Sequence, residues 1–395
     1  MFPDLAEQLL IREQQGLRRY RSVLESPQST YVTIDGHTYL SFSSNDYLGL
    51  ASHPALIQSV FQGAQQYGVG AGASHLVNGH SAAHHVLEEA LAQFTGFSDA
   101  LLFSTGYMAN IGVVTALVGR NDAIFADKLN HASLNDAAIL SRAQLIRYPH
   151  CDLPALERRL IASKAKRKLI VTDAVFSMDG DVAPVENLVK LCDKYNAMLL
   201  LDDAHGFGVL GADGRGILFA SESAKGRKST CTALHAPNII YMATLGKAAG
   251  VFGAFVAASS EIIATLIQAA KSYIYTTASP PLLAHVLLKS LQLIEEDNWR
   301  RERLFQLVKQ LKDALQTLQW KLLSSSTPIQ PLLIGDTKAA VRISQDLKAQ
   351  GILVPAIRPP TVPQNTARLR ISLSASHRGE DIVRLAAALQ NTNAA

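Results

Sequence analysis

The sequence predicts an α/β protein whose large domain is built on a mostly parallel sheet, with a smaller α+β domain at the C-terminal end. Two features predict it. From about residue 85 to 260, short apolar runs alternate with segments whose apolar residues recur every three or four positions, the rhythm of strands and covering helices. From about residue 282 that rhythm gives way to one long helical stretch and then to a mixture of strands and helices. With 395 residues, 48% of them hydrophobic, the chain can bury a large core. The expected division is an N-terminal helix and strand segment over 1–45, a large domain over 46–285 and a small domain over 286–395.

Residues 1–25 read as helical and charged. "YVTIDGHTYLSFSSNDYLGL" (31–50) alternates like strands around a turn at Asp35-Gly36. Six apolar runs then read as strands: "ALLFS" (100–104), "AIFAD" (123–127), "LIVTDAVFS" (169–177), "AMLLLDD" (197–203), "IIYMATLGK" (239–247) and "GAFVAAS" (253–259). Between them, segments such as "PVENLVKLCDKYN" (184–196) have helical spacing. Residues 219–236 are polar and read as an exposed loop or insertion. The stretch from Leu282 to Leu318 reads as a long helix. "IQPLLIGD" and "RLRISL" follow as strands, "TKAAVRISQDLKAQG" and "GEDIVRLAAALQ" as helices.

Composition excludes several classes. The net charge of +4 is small for this length, and no basic block is interleaved with aromatic residues as nucleic-acid binding would want. The short "KAKRK" (164–168) reads as a solvated helix end. Cys151, Cys192 and Cys231 lie far apart, with neither metal nor redox spacing, so no metal site is expected of them. There is no apolar signal core at the N-terminus and no run of the roughly 20 apolar residues that span a membrane. A cytoplasmic protein is expected.

The chemistry gathers at strand ends, where ligands of open α/β sheets bind. In "LLLDDAHGFG" (199–208) an apolar run stops at Asp202 and Asp203, with His205 just beyond. Paired buried carboxylates are costly unless a cation faces them. "LLFSTGYMANIG" (101–112) runs from a strand into a helix start at Gly106 and Tyr107, an anion site by its free amides, though a plain strand-turn-helix reads the same. His131 in "DKLNHASLND" reads equally as a helix cap, and Ser177 in "VFSMDGDVAP" as part of an ordinary turn. In "MATLGKAAG" Lys247 stands among small residues, three positions after Thr244.

Together these residues supply what pyridoxal phosphate requires. The phosphate takes the helix start and Thr244. Lys247 joins the aldehyde, and Asp202 faces the pyridine nitrogen and keeps it protonated. Strand alternation turns Asp203 to the other face, toward packing or a supporting hydrogen bond. His205 lies where it can bond the ring's phenolic oxygen.

These motifs resemble the α-oxoamine synthase family of fold-type I pyridoxal-phosphate enzymes. The resemblance runs from "LRRYR" (17–21) to "GEDIVRLAAAL" (379–389) and rests on "SNDYLGL", "HASLND", "FSMDGD", "DDAHGFGVLG", "TLGKAAG" and "IRPPTVP…TARLRISLSASH". It implies Lys247, His131 and Asp202 as catalytic residues, with His131 stacked on the ring face. Ser177 and His205 would bond the ring oxygen, while Gly106, Tyr107 and Thr244 would serve the phosphate. It also implies a homodimer in which Thr277 reaches the partner's phosphate. Substrate would be held by Asn45, by Thr361 at the acyl site and by Arg370 on the amino-acid carboxylate. Arg18 would hold the acyl carboxylate, with Arg19 its adjacent alternative.

"IRPPTVP" is similar to the branch that joins L-alanine to a pimeloyl thioester, carried by CoA or by acyl carrier protein, in biotin synthesis. The alternatives are a sister enzyme (glycine C-acetyltransferase, 5-aminolevulinate synthase or a synthase of quorum-sensing ketones); an aminotransferase of the same fold; and a cofactor-free binding or scaffold protein. Two positions depart from the family pattern: Asp173-Ala174 stands where Glu-Gly is commoner, and His75 where Gly or Arg is often found.

Overall fold

The computed structural model describes residues 4–219 and 237–393. All but the first residue of the expected polar loop at 219–236, and with it Cys231, lies outside the described residues. Contacts divide the chain into two units. One comprises residues up to Ser52, Ser177–Asp181 and residues from Trp299 on; the other comprises His53–Phe176 and Val182–Asn298.

The first unit opens with a helix, Leu5–Gln14, none of whose residues is buried. It is shorter than the sequence suggests: Gly16, at φ +67°, ends it, so Arg18 and Arg19 lie beyond the helix. A hairpin follows, β1 (Tyr31–Ile34) against β2 (His37–Ser41). Asp35 (φ +51°) and Gly36 (φ +71°) form its two-residue turn, the twist-matched kind that Asp-Gly favours.

The second unit is built on seven strands: β3 (Asp99–Phe103), β4 (Ala123–Asp127), β5 (Gln144–Tyr148), β6 (Lys168–Asp173), β7 (Met198–Asp202), β8 (Ile239–Thr244) and β9 (Ala254–Ala258). Their order is β3-β9-β8-β7-β6-β4-β5, parallel except for β9, which runs antiparallel between β3 and β8. Leu169, Val171, Leu200, Ile240 and Val256 are buried against Val113 and Val114 of the helix Gly106–Leu117. These strands are covered on both faces, which is why they read as continuous apolar runs. The helix Val185–Tyr195 buries Val185, Leu188, Val189 and Cys192, one apolar stripe, and Asn196 ends it in the left-handed region. β6 stops at Asp173, so Ser177 lies in the turn beyond rather than at a strand end. β5, on the sheet edge, has only one buried residue and left no apolar run to detect.

The stretch expected as one long helix is two, Pro281–Glu296 and Asn298–Ala314, separated at Asp297. The first unit is completed by β10 (Lys321–Leu322), β11 (Ile329–Gly335), β12 (Ile352–Leu353), β13 (Ala356–Ile357) and β14 (Ala367–Ser372). β12 pairs with β2 to extend the N-terminal hairpin, and the other four form a sheet of order β10-β11-β14-β13.

Candidate active site

Parallel register delivers the acids. Asp173 of β6 is the direct partner of Asp202 of β7, and Asp202 is the partner of Met242 in β8. The ends of three neighbouring strands therefore share one edge. Asp202 is only 4% exposed. Its Oδ2 accepts from Asn110 Nδ2 at 2.8 Å and its Oδ1 from the Ala204 amide at 3.1 Å. Asn110 also donates to Ser133 Oγ at 2.8 Å, while its own buried Oδ1 has no partner among the described residues. The carboxylate is thus anchored through both oxygens.

Lys247 follows β8 in a turn where Ala248 and Ala249 are buried. Its Nζ lies 2.8 Å from His205 Nε2, so a proton can be shared between ammonium and imidazole. His131 caps the helix Ala132–Ser141 through Nδ1, which accepts from the Ser133 amide at 3.3 Å and lies 2.8 Å from Ser133 Oγ. A lone pair at Nδ1 leaves the neutral ring's proton on Nε2. The His131 amide donates to Asp173 Oδ2 at 2.6 Å. Desolvation lowers the His131 pKa, and Asp202 opposes that while Lys247 adds to it. Asp173 is pushed well above the carboxylate range by burial and by the charge of Asp202.

At the start of the helix Gly106–Leu117, Thr105 accepts the Met108 amide at 3.1 Å. Among the described residues this leaves the amides of Gly106 and Tyr107 to meet an anion. A Cβ on Gly106 would come no nearer than 3.6 Å to Met242, so space remains there. The Tyr107 hydroxyl donates to Asp136, and Thr244 Oγ1 donates to the Gly253 carbonyl at 2.9 Å. Thr277 is exposed.

Asp203 does a different job. It is fully buried, accepting the Tyr241 hydroxyl at 2.9 Å and the Ile217 amide at 2.7 Å. It ties the segment after β7 to the sheet, as the alternation of strand faces predicts. Burial raises its carboxyl to about 7.

The first unit gathers the other candidates. Arg370 of β14 donates through Nε to the Ser177 carbonyl at 2.5 Å and through Nη1 to Asn45 Oδ1 at 3.1 Å and Ser372 Oγ at 2.7 Å. Asn45, Ser177 and Arg370 come together across more than 300 residues of chain. Arg19 Nη2 donates to Thr361 Oγ1 at 3.2 Å, and Arg358 Nη2 donates to the Arg18 carbonyl at 2.9 Å. The Arg18 side chain turns elsewhere, to Glu13 Oε2 at 3.4 Å and over the Tyr20 ring.

Sequence reasoning missed Asn110 and Ser133, and it missed the bond from the His131 amide to Asp173. A buried amide in the otherwise apolar "GYMANIGVVTAL" was the available signal for Asn110. Ser133 stands two residues after His131 on the same helix start, a local signal, whereas nothing local marks the bond to Asp173, because strand register creates it.

Residues 37–389 match the family model described as aminotransferase class I and II. The chain is 64% identical over 391 residues to a protein of Nitrosomonas eutropha named 8-amino-7-oxononanoate synthase, covering 99% of both chains. A protein of the same name from Nitrosospira multiformis is 64% identical, over 98% of this chain and 95% of that one. Among solved structures, serine palmitoyltransferase from S. paucimobilis with bound PLP–myriocin aldimine has a TM-score of 0.90 at 27% identity, covering 99% and 97% of the two chains. 8-Amino-7-oxononanoate synthase from Francisella tularensis has a TM-score of 0.75 at 30% identity, covering 89% and 97%.

Proposed function

The chain belongs to the class I and II aminotransferase family, and on that footing we propose that it uses pyridoxal phosphate to condense L-alanine with a pimeloyl thioester. The products are 8-amino-7-oxononanoate, CO2 and the free thiol carrier, in biotin synthesis. The observation that carries the reading is the Lys247–His205 pair beside the anchored Asp202 carboxylate, in a chain so similar throughout to proteins named for this reaction.

The residues fit the cofactor. Asp202 offers a buried carboxylate held by two N–H donors, suited to a ring N–H⁺, and Asn110 Oδ1, with no partner among the described residues, lies beside it. Lys247 has the amine that binds the aldehyde, and the helix start at Gly106 has amides for phosphate. When bound, pyridoxal phosphate supplies an electron-accepting ring that stabilises negative charge at the amino acid's Cα. Lys247 Nζ is the base that takes the Cα proton of L-alanine, and His205 Nε2 at 2.8 Å shares the proton it gains. Asn110 and the Ala204 amide hold the Asp202 carboxylate in place through both oxygens. His131, locked as a helix cap, presents Nε2–H as a donor to oxygen as the thioester carbonyl is attacked and the carboxylate departs. Arg370, fixed on two sides by Ser177 and Asn45, binds the alanine carboxylate. Arg19, with Thr361 and Arg358, reads the far end of the acyl chain. Thr277 and the amides of Gly106 and Tyr107 serve the phosphate end, and the working molecule is a homodimer.

The test offers alanine, glycine and serine against acetyl, palmitoyl and pimeloyl thioesters, the last on both CoA and acyl carrier protein. Release of thiol and of an amino-oxo acid with alanine and pimeloyl thioester alone is expected. Lys247→Ala should abolish it and leave a protein that borohydride cannot label. Preference for serine with palmitoyl thioester would move the chain to the chemistry of its structural neighbours.

A further inference from the structure

Three histidines and a buried carboxylate line a groove of the second unit, away from the strand ends described above, and a fourth histidine, His84, packs against two of them. His75 is 9% exposed and stacks on Tyr273, centroids 4.8 Å apart at 15°. His75 Nδ1 and His80 Nδ1 lie 3.0 Å apart. His84 is already committed: its Nδ1 accepts the Ser81 amide and its Nε2 lies 2.8 Å from the Ser279 carbonyl. His85 and Glu88 follow on the helix Ala82–Thr95, three residues apart.

Glu88 is the anomaly. It is 9% exposed, and Oε1 accepts the Leu102 amide at 2.9 Å. Its Oε2 faces His80 Nε2 at 3.7 Å, too long for a hydrogen bond. Among the described residues no lysine or arginine makes an ion pair with it. One ligand atom each from His80, His85 and Glu88 lies within 4.8 Å of the others. The groove that His75, His80, His85, Glu88 and Glu89 line is open to solvent, so an ion can enter.

We propose that His80 Nε2, His85 and Glu88 Oε2 form a site for a divalent transition-metal ion, with His75 as its positioning residue. Ligand atoms about 2 Å from a tetrahedral ion stand about 3.3 Å apart, so closure needs only a small movement of Glu88 and rotation of His85. The His85 side chain is 65% exposed and free to turn, and its Nε2 lies 3.4 Å from Glu89 Oε1, a further oxygen at the rim. The ion selects the tautomer in which His80 Nδ1–H donates to His75 Nδ1. That bond orients the ring and enriches Nε2, as the outer partner of a metal-bound imidazole does. Two imidazoles and a carboxylate favour Zn²⁺, Co²⁺ or Ni²⁺ over Mg²⁺ or Ca²⁺. The site is independent of the proposed reaction.

The test titrates the untagged holoenzyme with Co²⁺, reading its visible ligand-field bands, and then displaces Co²⁺ with Zn²⁺. One Co²⁺ per chain is expected. His85→Ala, on the surface, should weaken binding at least about tenfold, and His75→Phe, which keeps the ring on Tyr273, by about 10–100-fold. The cofactor absorbance of both variants should match that of the parent. No bands at millimolar Co²⁺, or binding unaltered by His85→Ala, overturns the site. A thiolate charge-transfer band also overturns it, since it places the ion at the other cluster, Asp127, His150 and Cys151.

Discussion

Asp202 and Asp203 are adjacent, identical in side chain and both buried, yet they face different neighbours. Asp202 is held by Asn110 and the Ala204 amide at the strand end, whereas Asp203 binds Tyr241 and the Ile217 amide behind it. Asp202→Asn should lower kcat by at least about a hundredfold, the scale on which lost electrostatic stabilisation shows. Asp203→Asn should lower the melting temperature more than it lowers kcat. Steady-state kinetics and thermal melts of the pair decide, and the reverse order would exchange the roles. The two arginines that follow the first helix are separated the same way. Arg19 touches Thr361, while Arg18 is spent on Glu13 and Tyr20. A charge-assisted bond is worth about 1.5–3 kcal/mol, so Arg19→Ala should raise KM for a pimeloyl thioester by about one to two powers of ten. Arg18→Ala should change it much less, and KM for alanine should be steady in both. Residue types and spacing made Asp202, His205 and Lys247 legible. The two arginines stand side by side in "LRRYR", and the long-range contact of Arg19 with Thr361 is the ground on which Arg19 is proposed.

Among the secondary-structure elements, the legible parts are those whose cause is local. The Asp35-Gly36 turn and the helical stripe of Val185, Leu188, Val189 and Cys192 follow from neighbouring residues alone. The break at Asp297 and the edge strand β5 did not show, since helical spacing continues through the one and exposed polar residues dilute the other. Two glycines make the difference measurable. At Gly36, with φ +71°, an added Cβ would meet nothing within 4 Å, so Gly36→Ala should cost only the left-handed strain, about 1–2 kcal/mol. Gly216, at φ +104°, would bring a Cβ to 2.3 Å from the Tyr241 hydroxyl and 2.4 Å from Asp203 Oδ2. Gly216→Ala should therefore cost clearly more, several degrees in the melting temperature beyond Gly36→Ala. Equal losses would mean that the Asp203 anchor yields freely.

Over the whole molecule, buried titratable groups set how stability follows pH. Asp203 is raised from 3.8 to about 7, so the folded state holds its proton where the unfolded chain releases it. Its contribution is full below about pH 4 and is lost as pH rises to about 7, on the order of 4 kcal/mol across the window. His377, lowered by burial, contributes with the opposite sign: stability present above its unfolded value and lost as the pH falls below it. Melts of the cofactor-free protein between those pH values should show a flatter dependence for Asp203→Asn than for the parent. An unchanged slope would show that Asp203 is not the titrating group.

The order of residues alone was enough for the alternation of strand and helix, for the strand ends where chemistry collects, and for the lysine, aspartate and histidines suited to pyridoxal phosphate. Those signals survive in one dimension because burial on both faces writes apolar runs and the site residues sit within a few positions of a strand end. Folding in three dimensions was needed to set which acids stand side by side, that Asn110 anchors Asp202, that Asn45 and Ser177 fix Arg370, and that His80, His85 and Glu88 share one groove. Strand register and packing make these contacts, and neither leaves a periodicity in the residues it joins.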